Sequence, residues 1–405
     1  MIHYPDPYDH LMDEIQQRPH AFEVAVHVGT YIDITEAPDK WSRESQILQL
    51  TTTESMFGAG NPCIGSAVSR SLTLRGRDID IPSIPISGEI ISIRYPVWVA
   101  TRIIDTTGLY DVPGWYTQGP WWMTQEPQRD LLTGVITVQA YDAIAESDVE
   151  YMTIPEGQLG NLRNCYANGT TSETVANVFA DVAGIIGLSG VTQRAAAAIT
   201  AAGNPSLPVP DDTVTCRDIL RWIAGICGGN AMVQWSDTSS GLLDIVPFNF
   251  AGETITVSSN MSSLKTGGRS NSNAYWDVCF ETDNGDITST HNSGDYVTTR
   301  FQMENPLGTV ALADHALDVI RQRAETTDVP WRYQGYQARD AVLDIRAQVG
   351  DRVLIEYPTT GGVTQGFASL IGEIQRTYDV ACLASVSAPD MARVVAQTWD
   401  DGSSS

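Results

Sequence analysis

From Phe22 onward apolar and polar side chains alternate. Phe22-Glu23-Val24-Ala25-Val26-His27-Val28 has the period of two that a half-buried strand needs, because successive side chains point to opposite faces. Segments of the same kind follow at 46–51, 71–75, 89–95 and 97–105, with glycine, proline and asparagine between them. Gly134-Val135-Ile136-Thr137-Val138-Gln139-Ala140-Tyr141-Asp142 is another. Short strands at turn-rich spacing predict a sandwich or a barrel. Residues 1–20, polar and proline-bearing with no period, predict a flexible N-terminal arm.

One stretch interrupts the alternation. Residues 110–127 hold Trp115, Tyr116, Trp121 and Trp122 among Pro113, Gly114, Gly119 and Pro120. Glycine and proline disfavour a regular strand, so the composition predicts a long loop carrying large aromatic groups. Tryptophan and tyrosine anchor interfaces, which makes these four residues a candidate interaction loop. A loop that folds back over its own barrel, or one that offers a carbohydrate platform, fits the same composition.

In the middle of the chain the period changes to that of a helix. Thr170 with Glu173 three residues later has the form of a capping box, followed by Val175, Val178, Phe179, Val182, Ile185 and Ile186 on one face. A second start at Thr215-Cys216-Arg217-Asp218 leads into Ile219, Leu220, Trp222, Ile223 and Ile226, and Gly228-Gly229 supplies the stop. Strands at 231–235 and 242–246 complete a mixed module. The last third returns to strands at 274–281, 341–345, 352–357, 366–375 and 381–386, with one helix over 309–323. The expected fold class is therefore α+β, mainly β. Its division is an arm at 1–20, a first β-barrel-like domain at 21–150, an α/β helix-and-hairpin module at 151–255, a second β-barrel-like domain with one helix at 256–395, and a disordered tail at 396–405.

Composition narrows the function. With 405 residues, 42% hydrophobic and 18% charged, the chain can bury more than one core, and ~100–200 residues per domain predicts several domains. Twenty-four Lys and Arg against 49 Asp and Glu give a net charge of −25, which excludes non-specific grip on a phosphate backbone. A negative wall could still surround DNA and let it slide. The six cysteines, at 63, 165, 216, 227, 279 and 382, include no C-x-x-C pair and none lies near a histidine at metal-ligand spacing, so reduced thiols are expected. The start has no basic and apolar regions of a secretory signal, and no stretch reaches the ~20 apolar residues of a bilayer span. The expectation is a protein made without export and without membrane insertion.

The chemistry of sites adds little. There is no G-x-S-x-G elbow and no H-E-x-x-H pair, and the six histidines, at 3, 10, 20, 27, 291 and 315, are scattered. His27 falls on the polar phase of its strand, and His315 is expected on the outer side of its helix. The glycine-rich run 184–190 is followed by no G-K-[ST], so it predicts a helix end rather than a phosphate cradle. Asp283-Asn284-Gly285-Asp286 has the composition of a calcium loop but lacks its ligand spacing, and a tight hairpin turn accounts for it. A catalytic site, a cofactor and a metal are all expected to be absent.

Three segments, in order, resemble the tail hub family of tailed phages, related to baseplate hubs and to type VI secretion spike hubs. Val135-Ile136-Thr137-Val138-Gln139-Ala140-Tyr141-Asp142-Ala143-Ile144 resembles the strand that ends in Tyr-Asp and closes the hub's first barrel. Thr215-Cys216-Arg217-Asp218-Ile219-Leu220-Arg221-Trp222-Ile223-Ala224, with Val233 and Gly241-Leu242-Leu243-Asp244-Ile245, resembles its helix on a two-stranded ribbon. Gln348-Val349-Gly350-Asp351-Arg352-Val353-Leu354-Ile355 resembles the late Gly-Asp turn that opens the final strand pair. The resemblance spans most of residues 20–390, and the aromatic stretch at 110–127 departs from it.

The resemblance implies two tail-tube-related barrels per chain and a homotrimer that presents six similar units. Such a ring joins a six-fold tube to a three-fold tip. Its expected partners are tail tube or distal tail proteins and tip, fibre or tape-measure proteins, with DNA passing through unbound. Its expected place is the virion tail, after assembly in the host cytoplasm. A tail-associated cell-wall hydrolase and a receptor- or glycan-binding tail-tip protein remain the alternatives.

Overall fold

The alternating segments pair into one curled, half-barrel sheet. The computed structural model describes residues 20–28, 47–56, 63–77, 96–105, 115–123, 125–151, 166, 170–209, 214–235, 241–248, 254–257, 263–266, 275–290, 297–321, 332–341, 349–350, 352–358, 364–379 and 392–400. The first third supplies β1 (His20–Val28), β2 (Ile47–Ser55), β3 (Ser71–Arg77), β4 (Pro96–Asp105), β5 (Tyr116–Met123), β6 (Gln128–Arg129) and β7 (Val135–Tyr141). Burial confirms the period of two: along β3 and β7 the inward residues Leu72, Leu74, Ile136, Val138 and Ala140 are buried and their neighbours are not. The strand expected at 89–95, like the arm at 1–19, lies outside the described residues.

The mixed module follows a 3-10 turn at Ala143–Asp148. It comprises β8 (Ser172–Thr174), α1 (Val175–Ile185), α2 (Gln193–Ala201), β9 (Ser206–Pro208), α3 (Cys216–Ile226), β10 (Gly229–Gln234) and β11 (Leu242–Pro247). The capping box at Thr215 is present, with Thr215 and the Asp218 carboxylate bonded reciprocally. Gly228, at φ +66°, takes the left-handed position that ends α3, and a Cβ there would sit 2.8 Å from the Ala316 carbonyl. The other expected cap is corrected by one turn. Thr174, not Thr170, caps α1, because residues 172–174 are drawn into the β8–β9 pair. Helix α2 occupies Gln193–Ala201, where the alanine run offered no strong apolar stripe to read.

The last third contributes β12 (Thr254–Val257), β13 (Ser263–Thr266), β14 (Tyr275–Thr282), β15 (Gly285–Thr288), β16 (Val297–Glu304), α4 (Val310–Arg321), β17 (Arg332–Ala341), β18 (Arg352–Pro358), β19 (Thr364–Asp379) and β20 (Ala392–Asp400). The 283–286 segment is the expected hairpin turn between β14 and β15. Strand β20 includes residues 396–400, which the sequence assigned to a disordered tail. That assignment is corrected for these five residues: β17 on one side and β19 on the other pair with the β20 backbone, and a polar sequence does not announce such partners. The strand expected at 381–386 lies outside the described residues, and Ala341 ends β17 instead of opening a strand.

The sheet order is β1-β4-β5-β7-β3-β2-β19-β20-β17-β13, with β6 on β7, β18 on β19 and β12 on β18. Its central seam is β2 against β19, antiparallel, with Thr51 opposite Thr377 and Thr52 opposite Arg376. Strands from the two ends of the chain are thus hydrogen-bonded neighbours. The mixed module packs beneath. Residues 63–67 run onto β10, where Ala231 N–H donates to the Ser66 carbonyl at 2.7 Å and the Asn230 side chain bonds Ser66 and Cys63. The three-stranded β15-β14-β16 sheet and α4 close the other side, and Asn305 Nδ2 donates to the Trp222 carbonyl at 2.9 Å.

Candidate functional site

The aromatic stretch is where composition misled. Residues 116–123 form strand β5, paired with β4 and β7, instead of continuing a loop. The glycine and proline are absorbed by an irregularity: the register slips between Val97 and Val99, and Gly119 sits at φ +146° where a Cβ would meet the Trp98 ring at 2.8 Å. Trp121 consequently points inward and is fully buried, its ring 5.2 Å from that of Trp235. Trp122 and Trp115 are half-buried. Trp115 packs on Ala25, Trp98 and Ala100, and the Arg102 guanidinium lies 4.4 Å from its ring centre. Tyr116 opens β5 opposite Thr101. The four residues therefore do not form one surface, and only Trp115 and Trp122 have described side chains that reach solvent.

Trp235, the neighbour of Trp121, borders a group of buried charges. Glu54 on β2 and Arg376 on β19 occupy inward positions two residues apart in register, and Arg376 Nη1 donates to Glu54 Oε1 at 3.0 Å. Arg70, just before β3, places its Nε 3.5 Å from Glu54 Oε2. All three side chains are about 4% exposed. The Arg70 guanidinium also lies 5.9 Å from the Trp235 ring, which ties the sheet to the mixed module. Asp142, wholly buried, accepts from Ile144 N–H at 3.1 Å, and its own N–H donates to the Arg70 carbonyl at 3.2 Å.

Two cations flank one carboxylate here, away from water. The arrangement links β2, β3, β19 and the 3-10 turn. The signal was present in the sequence: Glu54 shares its strand phase with Leu50 and Met56, and Arg376 shares its phase with Ile374 and Tyr378. A charge on the inward phase of an alternating strand marks a paired interior ion, because an unpaired one would be too costly.

Burial pushes the Asp142 carboxyl up to about 7; the nearby Arg70 opposes the rise and Glu54 adds to it. The folded protein holds this proton more tightly than the unfolded chain. The stabilising contribution is complete below pH ~4 and is lost as pH rises to about 7. Asp142→Asn keeps an oxygen for Ile144 N–H and removes the ionisation. Urea titrations across this window are expected to show the wild type losing on the order of 2–4 kcal/mol relative to the variant. Parallel profiles for the two proteins would refute the assignment.

The remaining candidates are dispersed. His27 stands on β1 opposite Trp98. His315 is half-buried on α4 instead of on its outer side, and burial lowers its pKa. The described free cysteines are Cys63, Cys216, Cys227 and Cys279; burial pushes the Cys216 thiol up to about 11 and Cys227 to about 12, which favours the unreactive thiol form. A further buried carboxylate, Asp244 on β11, accepts from Thr192 and Arg194 and so fixes the start of α2 to the ribbon. Among the described residues no group of three or more His, Cys, Asp or Glu side chains could hold a metal. Among them, too, no helix is long and apolar enough to cross a membrane.

No protein-family model matches the chain, and no curated protein matches it. Solved structures do. A tail protein from Neisseria meningitidis MC58 aligns over 94% of this chain and 97% of its own, at 14% identity and a TM-score of 0.47. The 43 kDa tail protein of prophage MuSo2 from Shewanella oneidensis aligns over 94% and 99%, at 16% identity and a TM-score of 0.43. A chain of the Francisella PdpA-VgrG complex aligns over 95% of this chain and 53% of its own, at 8% identity and a TM-score of 0.47.

Proposed function

We propose that the chain is a structural subunit of a phage tail, a hub that closes into a homotrimeric ring at the tail tip. In this reading residues 21–150 and 256–395 are the two ring modules, and residues 151–255 buttress them from below. The ring meets tube or distal-tail proteins on one face and tip, fibre or tape-measure proteins on the other. The net charge of −25 suits a channel through which DNA slides without being held. The work is mechanical rather than catalytic, and its place is the virion tail.

One observation carries the reading: the three segments that resemble the hub family take the local structures the resemblance implies. Residues 135–141 form strand β7 and end at Tyr141-Asp142. Residues 216–226 form α3, which packs on β10 of the β10–β11 ribbon. Gly350, at φ +91°, precedes β18, which pairs antiparallel with β19. Each is a local outcome with its own cause, and their order along the chain is what ties them together.

Sedimentation equilibrium and negative-stain microscopy of the purified protein test the proposal. The expected result is a closed three-fold ring of three times the 44.0 kDa chain mass. A six-fold ring would replace the hub with a tube or distal-tail subunit, and a monomer that clears cell wall in a zymogram would replace it with the hydrolase.

A further inference from the structure

The turn between β6 and β7 carries the two most exposed large apolar residues described, Leu131 at 88% and Leu132 at 97%. The turn backbone that carries them is braced by hydrogen bonds. The Asp130 carboxylate accepts from Leu132 N–H at 2.9 Å and from the Thr133 hydroxyl at 2.7 Å, and Gly134 N–H returns to the Asp130 carbonyl at 2.8 Å. These bonds also keep the Asp130 carboxyl below its ordinary pKa, so it stays a charged acceptor. Presenting the leucines therefore costs little further ordering. A single exposed leucine is unremarkable, but an adjacent pair on a braced tip is a feature to be covered.

Beside the tip lies a cleft lined by Arg75 and Arg77 on the outer face of β3, Arg129 and Gln128 on β6, and Thr133 and Thr137. Among the described residues none of these three arginines forms an ion pair. Strand β6 is itself a two-residue edge. Asp130 also lines the cleft, so three arginines face one carboxylate; in a chain with twice as many acidic as basic residues, this is a local excess of positive charge around an apolar prong.

The complement lies on the same chain. At the far end of β7, past the 3-10 turn, Val149 is 38% exposed between two exposed acids, Glu150 and Asp148, the second of which also pairs with Arg217 of its own chain. The leucines and Val149 are all exposed, so the prong and this patch do not cover each other within one molecule. Two different, complementary patches on one subunit make a head-to-tail contact, which closes rings instead of two-fold dimers.

We infer that the Leu131–Leu132 prong and its arginine cleft dock on the Asp148-Val149-Glu150 patch of a second copy of this chain. This deepens the ring proposed above and rests on it. The test is sedimentation equilibrium of the full chain bearing Leu131→Asp with Leu132→Asp, and separately of Val149→Asp. Circular dichroism melting of each variant reports on folding, which such exposed positions leave intact. Each variant is expected to raise the dissociation constant for self-association at least roughly tenfold, and the leucine pair roughly a hundredfold. A leucine variant that associates like the wild type overturns the docking while leaving the ring reading standing. A monomeric wild type overturns both. A Val149→Asp protein that associates normally overturns the assignment of the acidic patch.

Discussion

Glu54→Ala is expected to lower stability by about 3–5 kcal/mol, read as a fall in the urea midpoint at unchanged slope. The carboxylate stands between Arg70 and Arg376, and all three side chains are about 4% exposed. Removing it leaves two guanidinium groups facing each other in a space from which water is excluded. Glu54→Gln retains volume and a carbonyl acceptor for Arg376 and is expected to lose less. The three-residue replacement Glu54→Leu, Arg70→Met, Arg376→Leu separates the cost of breaking the group from its net worth. Apolar substitutes of similar volume are often neutral or stabilising where a buried ion group is exchanged as a whole. If that variant is as stable as the wild type, the charges act to select the β2–β19 register, not to add stability. A Glu54→Ala protein with an unchanged midpoint would show that the interior of the seam is wet.

Trp121→Ala should cost a similar amount, about 3–5 kcal/mol, because the indole is fully buried and packs against Trp235. Trp122→Ala, at a half-buried position, is expected to change the midpoint far less. Trp121→Phe should fall between them. Among the described residues Trp121 Nε1 has no hydrogen-bond partner, so the phenyl ring forfeits volume but also removes a donor left unpaired there. The contrast matters for function. Loss of glycan binding in a Trp121→Ala, Trp122→Ala double variant would report unfolding as readily as a binding site. Trp115→Ala and Trp122→Ala are the variants that can test the surface reading. Glycan-array binding that these two abolish, in a protein with wild-type melting, would favour the receptor-binding alternative over the hub.

The aromatic stretch also shows where composition stops being informative. Glycine and proline at 113–120 argued against a strand, and they are poor strand formers on average. Yet β5 forms, because its partners β4 and β7 supply the pairing and a register slip absorbs Gly119. The α1 cap moved for the same kind of reason. Thr170 and Thr174 both offer a hydroxyl, and the pairing of 172–174 with 206–208 decided between them. By contrast the Thr215 cap and the Gly228 stop were legible, since both depend only on neighbours within a turn or two.

What the sequence determined by itself is therefore local and periodic: the inward phases of β2, β3 and β7, the apolar face of α3, the hairpin turn at 283–286, and the acidic excess that forbids a grip on nucleic acid. These follow from side-chain alternation, capping and net charge, which act over a few residues or over the whole composition at once. Which distant segments lie together emerges only from the folded chain. The β2–β19 seam joins residues more than 300 positions apart, and with it come the Glu54–Arg376 pair, the burial of Trp121 and the strand at 392–400. Strand pairing is made by backbone groups that every residue carries, so a sequence marks that a strand exists far more clearly than it names the partner.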